Sequence, residues 1–151
     1  LRHNLVLPRA TMNRSIMMRS EEERAFSGDL LRRWHIKAPG IEATPDHLSG
    51  GNQQKVVLAR WLAINPLVFL LDEPTKGVDV GAKDEIHEII RGKARDGAAC
   101  LVVSSDLPEI LALAHRLLVM REGRVQGELA AAQTDEESVM QLATAPVRRA
   151  S

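Results

Sequence analysis

The chain has 151 residues, a length that allows one domain with a core of its own. Its 20 Lys and Arg residues balance 20 Asp and Glu residues, so the net charge is zero, which argues against nucleic acid as a partner. The single cysteine, Cys100, lies in an apolar run, which excludes a disulfide framework and favours a small buried side chain. No segment approaches the roughly 18 to 20 apolar residues of a membrane span, and the amino end lacks a signal-peptide pattern. We therefore expect a soluble, cytoplasmic chain.

The first 47 residues predict a partly helical region. Residues 1–19 are irregular with some helical character. Ser20 and Glu23 form a capping box, so a helix should begin there and reach about Trp34. The Pro- and Gly-rich residues 37–47 then predict a loop.

Two glycines, Gly50 and Gly51, precede a segment with helical periodicity. Apolar side chains recur at helical spacing over residues 52–64, so the glycines mark a helix start. A helix N-terminus presents free backbone N–H groups and about half a unit of positive charge, and glycine lets a phosphate approach the backbone. Ser49 adds a hydroxyl donor. The segment therefore predicts an anion site.

An apolar run that ends in two acids predicts a second part of a nucleotide site. Residues 66–71 are typical of a strand buried on both faces of a parallel sheet. Ligands of open α/β sheets bind beyond the carboxyl ends of strands, where Asp72 and Glu73 follow. Neighbouring strand residues point to opposite sides. We therefore expect one acid to hold Mg²⁺ and the other to reach a water aimed at a γ-phosphate.

The remaining residues predict alternating helices and strands. A helix over about residues 81–95, a turn at Asp96-Gly97 and a strand over residues 99–104 would complete a right-handed βαβ unit. After it we expect a short helix that is capped by Asp106 and Glu109 and reaches about His115. A hairpin of residues 116–120 and 124–129 should follow, with its turn at Glu122-Gly123. A last helix capped by Thr134 and Glu137 and a loose tail over residues 146–151 should end the chain.

These motifs resemble those of the ATP-binding-cassette family. Residues 48–54 are similar to the family's signature motif, residues 68–73 to its Walker B motif with the following catalytic glutamate, and residues 77–79 to its D-loop. The wider pattern of residues 77–83, 103–109 and 119–124 resembles the second cassette of double-cassette ATPases that drive bacterial sugar importers of the ribose, galactose and xylose type. The resemblance covers nearly the whole chain and is weakest over residues 1–20.

The resemblance implies an α/β fold: a fragment of a P-loop NTPase-type cassette, with a mostly parallel sheet, flanking helices and a partial helical subdomain, and without the Walker A strand. Residues 1–47 would belong to the helical subdomain, residues 48–145 to the signature and Walker B part of the nucleotide-binding domain, and residues 146–151 to a flexible tail. It also implies ATP and Mg²⁺ as cofactors, and a peripheral location on the cytoplasmic face of the bacterial inner membrane. The implied partners are integral-membrane permease subunits, a second cassette and, indirectly, a sugar-binding protein.

The resemblance also implies a role for each site residue. Asp72 would hold the metal, and Glu73 and Ser105 would be catalytic. Nucleotide binding would involve Ser49, Gly50, Gly51, Gln53 and Asp79. Two cassettes of this family close head to tail, so Ser49 and the two glycines would serve ATP held by the partner cassette, whereas Asp72, Glu73 and Ser105 would serve ATP held by this one.

Two positions depart from the family pattern. Ser105 stands where the family usually has a histidine that contacts the γ-phosphate, and Asn52 stands where the signature usually has glutamine. Serine is shorter and cannot become a cation near neutral pH, and losing one preorganised donor can cost on the order of 10²- to 10³-fold in rate. We therefore expect a slow site, the alternative being that a serine and a water do the histidine's work.

The phosphate-wrapping pattern Gly-x-x-x-x-Gly-Lys-Ser/Thr does not occur in the sequence. We therefore expect the chain to be the carboxyl-terminal piece of a longer sugar-importer ATPase and to be inactive by itself. Two alternatives remain open. One is a regulatory cassette that binds nucleotide without turnover. The other is a soluble cassette ATPase acting on nucleic acid or ribosomes, which would show long basic or coiled-coil insertions that this sequence lacks.

Overall fold

A computed structural model describes residues 1–12 and 20–145. The helices in these residues are α1 (Arg2–Met12), α2 (Ser20–Arg33), α3 (Gly50–Leu62), α4 (Val80–Arg95), α5 (Leu107–Leu113) and α6 (Glu136–Thr144). The strands are β1 (Val68–Asp72), β2 (Ala99–Val103), β3 (Arg116–Arg121) and β4 (Arg124–Ala130). The predicted loose tail, residues 146–151, lies outside the described residues. None of the described helices combines the length and apolar character needed to cross a membrane.

The chain divides into two compact units. The first, which we name the signature unit, consists of Leu1–Phe69 and Pro74–Cys100. The second, named the Walker B unit, consists of Leu70–Glu73 and Leu101–Ser151. The bounds predicted from the sequence for a helical subdomain stay a prediction.

The amino-terminal residues are more regular than the sequence predicts. Residues 2–12 form α1, although Pro8 lies inside it. The prediction of an irregular segment with some helical character understated this helix, because Leu5 and Val6 are buried and tertiary packing of an apolar face outweighs the weak intrinsic propensity. The rest of that predicted segment, residues 13–19, lies outside the described residues. The predicted helix from Ser20 is confirmed as α2, and the predicted loop contains only one short 3-10 turn, at Pro45–His47.

Helix α3 begins at the glycines, as predicted, and the apolar residues that recur at helical spacing follow from residue 52. Ser49 is its N-cap, with extended backbone angles (φ −62°, ψ 155°). The buried face of α3 includes Lys55, Val56, Ala59 and Leu62, which recur at helical spacing. The two glycines are therefore the first helical residues, with Gly50 exposed and Gly51 buried.

Strands β1 and β2 pair in parallel. The amide of Ala99 donates to the carbonyl of Leu67 at 2.9 Å, and the amide of Glu73 donates to the carbonyl of Val103 at 2.8 Å, so both strands run in the same direction. Helix α4 connects them, as a βαβ unit requires. The handedness of this connection stays a prediction.

The prediction that β1 is buried on both faces was wrong. Phe69 is 5% exposed, but burial alternates along β1 and β2, and every second apolar side chain is exposed. We name these exposed side chains the outer face. Its members are the exposed apolar residues Val68, Leu70, Leu101 and Val103. A continuous apolar run has no alternation to reveal which face the chain itself covers. Cys100 is only partly buried, and that burial raises the pKa of its thiol.

The Walker B unit also contains the predicted hairpin. Strands β3 and β4 pair antiparallel, and Glu122 (φ 49°) and Gly123 (φ 74°) both have positive φ angles, which a tight hairpin turn requires. Leu117 and Val119 of β3 pack with Val139 of α6 in a small core.

Two predicted helix boundaries differ from the structure. The last helix is capped by Asp135, not Thr134, because the Asp135 carboxylate accepts from the amide of Ser138 at 2.9 Å, whereas the Thr134 hydroxyl donates to the Ala130 carbonyl. Helix α5 is capped by Asp106 as predicted, but it ends at Leu113 rather than near His115.

Candidate functional site

The amino end of α3 has the features of an anion site. The amide of Gln53 donates to the Ser49 carbonyl at 2.9 Å and closes the first turn, which leaves the preceding amides without intrahelical partners. An N-cap serine usually accepts from these amides, but the Ser49 side chain makes no such bond. Ser49 and Gly50 are both exposed. Backbone N–H groups and a hydroxyl are therefore accessible at a positive helix end.

Packing within the signature unit leaves little room for a side chain at either glycine. A Cβ atom on Gly51 would lie 2.6 Å from the Cβ of Ala82, and one on Gly50 would lie 3.2 Å from the carbonyl oxygen of Gly77. The start of α3 thus lies directly against the segment that leads into α4. The sequence suggested only that glycine lets a phosphate approach, so this second reason was missed.

Asn52 and Gln53, the next two residues of α3, are engaged with nearby chain. The Asn52 side chain accepts from the amide of Lys37 at 2.8 Å and donates to the Ser49 hydroxyl at 2.8 Å. The Gln53 side-chain nitrogen donates to the carbonyls of Pro45 and Leu48, both at 3.1 Å. In this structure Gln53 holds the turn before the helix, and its role toward nucleotide stays a prediction.

Asp79 caps α4. Its carboxylate accepts from the amide of Ala82 at 3.0 Å, and its backbone is extended, as at an ordinary N-cap. The role of Asp79 toward nucleotide also stays a prediction.

Lys55 was not singled out by the sequence, yet it is a buried cation of the signature unit. Its side chain is 4% exposed, and its ammonium pairs with Glu85 of α4 and donates to the His35 carbonyl at 3.4 Å. Burial, followed by the charge of Lys37, lowers the pKa of Lys55. This cation links the end of α2, the middle of α3 and the first half of α4.

The acids that follow β1 take different conformations. Asp72 is the last residue of the strand and is exposed. Glu73 has left the strand and adopts a left-handed backbone (φ 47°). The expectation that the two acids alternate as neighbouring strand residues was therefore wrong, because it needs an extended backbone at both positions.

Glu73 and Ser105 are brought together in the Walker B unit. The amide of Ser105 donates to Oε1 of Glu73 at 2.9 Å. The sequence drew attention to the short hydroxyl of Ser105, whereas the contact to Glu73 comes from its backbone. No group of three or more His, Cys, Asp or Glu side chains in the described part of the chain could hold a metal ion, and the metal-binding role of Asp72 stays a prediction.

Comparison with known proteins shows which family this chain resembles. The family model described as "ABC transporter" matches residues 2–76. A ribose import ATP-binding protein of Rhizobium meliloti is 50% identical over 128 residues, which cover 85% of this chain and 25% of that protein. A ribose import ATP-binding protein of Bacillus cereus is 45% identical over 145 residues, 95% of this chain and 29% of that protein. The chain thus spans between a quarter and a third of the length of these relatives.

Solved structures show the same fold. A dimeric bacterial ABC transporter cassette superposes with a TM-score of 0.72 at 28% identity, covering 86% of this chain and 56% of that one. A cassette dimer in a post-hydrolysis state with bound ADP and phosphate superposes with a TM-score of 0.66 at 29% identity, covering 78% of this chain and 50% of that one. The α/β fold of a P-loop NTPase-type cassette is therefore confirmed, and the chain belongs to the family of ABC transporter ATPases.

Proposed function

We propose that this chain supplies the signature segment, the metal-binding acid and the catalytic glutamate of an ATPase that powers import of a sugar. Identity of 50% across 85% of the chain to a ribose import ATP-binding protein supports a substrate of the ribose class. The phosphate-cradling loop would come from residues outside these 151.

The observation that carries the proposal is the bond between the Ser105 amide and the Glu73 carboxylate. A carboxylate has two acceptor oxygens. With Oε1 held by this N–H, Oε2 is the oxygen that can accept a hydrogen bond from a water and orient it toward a phosphorus atom. Positioning of this kind is the main contribution a protein makes to phosphoryl transfer.

The residues present fit Mg²⁺ and nucleotide phosphates. Asp72 would hold the metal, because an exposed carboxylate at the carboxyl end of a strand is a suitable oxygen ligand. Ser49, Gly50 and Gly51 would bind phosphate oxygens, because the α3 amides are not capped by the Ser49 side chain. When bound, the metal neutralises phosphate charge and the nucleotide supplies the phosphoryl group.

A second cassette and integral-membrane permease subunits complete the proposed assembly, which would lie at the cytoplasmic face of the bacterial inner membrane. The uncapped amides of α3 belong to the signature unit, whereas Glu73 belongs to the Walker B unit. We assign the former to nucleotide held by the partner cassette and the latter to nucleotide held by this one. A sugar-binding protein would act indirectly, by delivering the substrate to the permease.

A regulatory cassette without turnover is the second candidate, and Ser105 is the observation that favours it. Its side chain cannot supply the cationic donor of a histidine. Glu73 nevertheless retains the carboxylate that orients water, so we favour slow hydrolysis over none.

Substitution of Ser49 tests the proposed function. In the natural polypeptide that carries these residues, assembled with its permease, Ser49→Arg should depress ATP turnover and ribose uptake by at least about 10²-fold, because its side chain would fill the space of a phosphate. Ala132→Arg adds the same bulk and charge at an exposed position of the Walker B unit and should change neither. Nearly normal turnover in Ser49→Arg would show that this signature does not face a working site. Uptake of galactose or xylose instead of ribose would revise the substrate only.

A further inference from the structure

We infer that Asn52 is a positioning residue: it fixes the direction in which the Ser49 hydroxyl donates its proton, and it ties that hydroxyl to the chain segment that follows α2. The inference rests on the proposed function, in which Ser49 contacts a nucleotide phosphate. Asn52 itself touches no phosphate in this scheme and acts through Ser49.

The hydrogen bonds determine how the Asn52 amide is oriented. A backbone N–H can only donate, so the atom that faces the amide of Lys37 at 2.8 Å must be the carbonyl oxygen, Oδ1. The other end, Nδ2, therefore faces the Ser49 oxygen at 2.8 Å and must donate to it. Because both ends of the planar amide are bonded, flipping it would break both bonds.

This orientation controls the Ser49 hydroxyl. Its oxygen accepts from Asn52 and makes no capping bond to the amides of α3. A serine hydroxyl has one proton to donate, and with the oxygen engaged as an acceptor, that proton is left for an anion. The uncapped amides of Gly50 and Gly51 are left for the same anion. Asn52 thus occupies one of the two acceptor positions of the Ser49 oxygen and restricts the directions in which its proton can point.

The segment to which Asn52 is tied is well fixed. Trp34 and Ile36 are 9% and 6% exposed, and the amide of Ile36 donates to the Leu31 carbonyl at 2.9 Å, closing the end of α2. Between them, His35 has a left-handed backbone (φ 48°), and its carbonyl accepts from the buried ammonium of Lys55. A displacement of this segment would therefore reach the Ser49 hydroxyl through one side chain.

The geometry also explains why asparagine stands at this position. Both bonds of the Asn52 amide are 2.8 Å long, close to the optimum for N–H···O bonds. Glutamine has one more methylene, which would displace its amide by more than about 1 Å, and a donor–acceptor distance above about 3.5 Å is no longer a hydrogen bond. Asparagine is therefore matched to this bridge.

The test is a double-substitution cycle in the natural polypeptide assembled with its permease, with kcat and KM for ATP as readouts. Asn52→Ala should lower kcat about 10-fold, as expected when one hydrogen bond of about 1 kcal/mol or slightly more is lost in the transition state, with KM for ATP changed less than about twofold. In a Ser49→Ala background, Asn52→Ala should cause no further loss, because Asn52 acts through Ser49.

A third variant separates positioning from a structural role. Asn52→Asp has the same shape and still accepts from the amide of Lys37, and an acid in the first turn favours the helix. It cannot donate to Ser49, and instead draws the hydroxyl proton toward itself. Its kcat should therefore fall at least as far as that of Asn52→Ala, with an unchanged melting temperature.

Four results separate the inference from the proposed function. If Ser49→Ala leaves turnover unchanged, the proposed role of this signature fails. If Ser49→Ala lowers turnover but Asn52→Ala does not, or if the two losses multiply in the double variant, the inference fails and the proposed function stands. Full activity of Asn52→Asp beside a defective Asn52→Ala would also overturn the inference, because the aspartate keeps only the bond to Lys37.

Discussion

Replacing Gly51 by alanine should destabilise the protein, although alanine is the better helix former. The new Cβ would lie 2.6 Å from the Cβ of Ala82 and 3.4 Å from Cγ1 of Val78. Carbon atoms prefer separations of about 3.5–4.0 Å, so α3 and the start of α4 would have to move apart by about 1 Å. Ala82 cannot rotate away, because its Cβ is fixed by the backbone. Overpacking of this kind costs about 1–3 kcal/mol, and alanine recovers at most about 1 kcal/mol.

Gly92→Ala is the matched control, since a Cβ there has nothing within 4 Å and the residue is in the interior of α4. It should stabilise the protein by about 0.8–1 kcal/mol, so the two substitutions are expected to have opposite signs. Urea unfolding of the natural polypeptide that carries these residues, followed by the fluorescence of the buried Trp34, measures both. Ala82→Gly alone should destabilise the protein, because glycine is a poor helix former. In the Gly51→Ala background it also removes the clash, so the double variant should be about 1 kcal/mol or more stabler than the sum of the two single effects predicts. The packing argument is refuted if Gly51→Ala stabilises as Gly92→Ala does, or if Ala82→Gly adds its full cost.

Three further predictions concern hydrolysis, pH and solubility. If Ser105 marks a slow site, Glu73→Gln should lower total ATP turnover of the assembled ATPase only modestly, and Ser105→His should raise it. Abolition of turnover by Glu73→Gln alone would contradict the slow-site hypothesis. The hydrogen bonds from Ser138 lower the pKa of Asp135 below its ordinary 3.8. Their contribution to stability is therefore present above pH 3.8 and is lost as the pH falls through the pKa of the folded state. Melting temperatures from about pH 6 to 2 should show this loss in the wild type but not in Asp135→Asn. The isolated 151 residues should aggregate through the outer face, and a sharp reversible melt would contradict this. They should also bind Mg-ATP more weakly than micromolar, and tight binding in calorimetry would contradict that.

The sequence predicts best what depends on neighbouring residues. The start of α3, the cap at Asp106 and the tight turn at Glu122-Gly123 follow from side chains within four positions of each other, and the structure confirms them. The cap at Thr134 failed for a local reason: the adjacent Asp135 is an equally good capping residue, and a pattern cannot choose between them.

Contacts between distant segments could not be predicted in the same way. The bond from the Ser105 amide to Glu73 joins positions 32 residues apart and depends on the register of β1 against β2. The bridge through Asn52 depends on where the end of α2 lies against α3. In the sequence, Asn52 stood out only as a departure from a family pattern, and nothing in its neighbours indicates the Lys37 amide as a partner.

The left-handed backbone of Glu73 bears on how this protein would respond to selection for stability. For an L-residue that conformation costs about 1–2 kcal/mol, and glycine or asparagine would adopt it with less strain. A screen that rewards only folded protein would therefore favour loss of the acid on which the proposed chemistry depends. Thermostable variants of such cassettes should be sought with position 73 held constant, because at that position folding and turnover favour different residues.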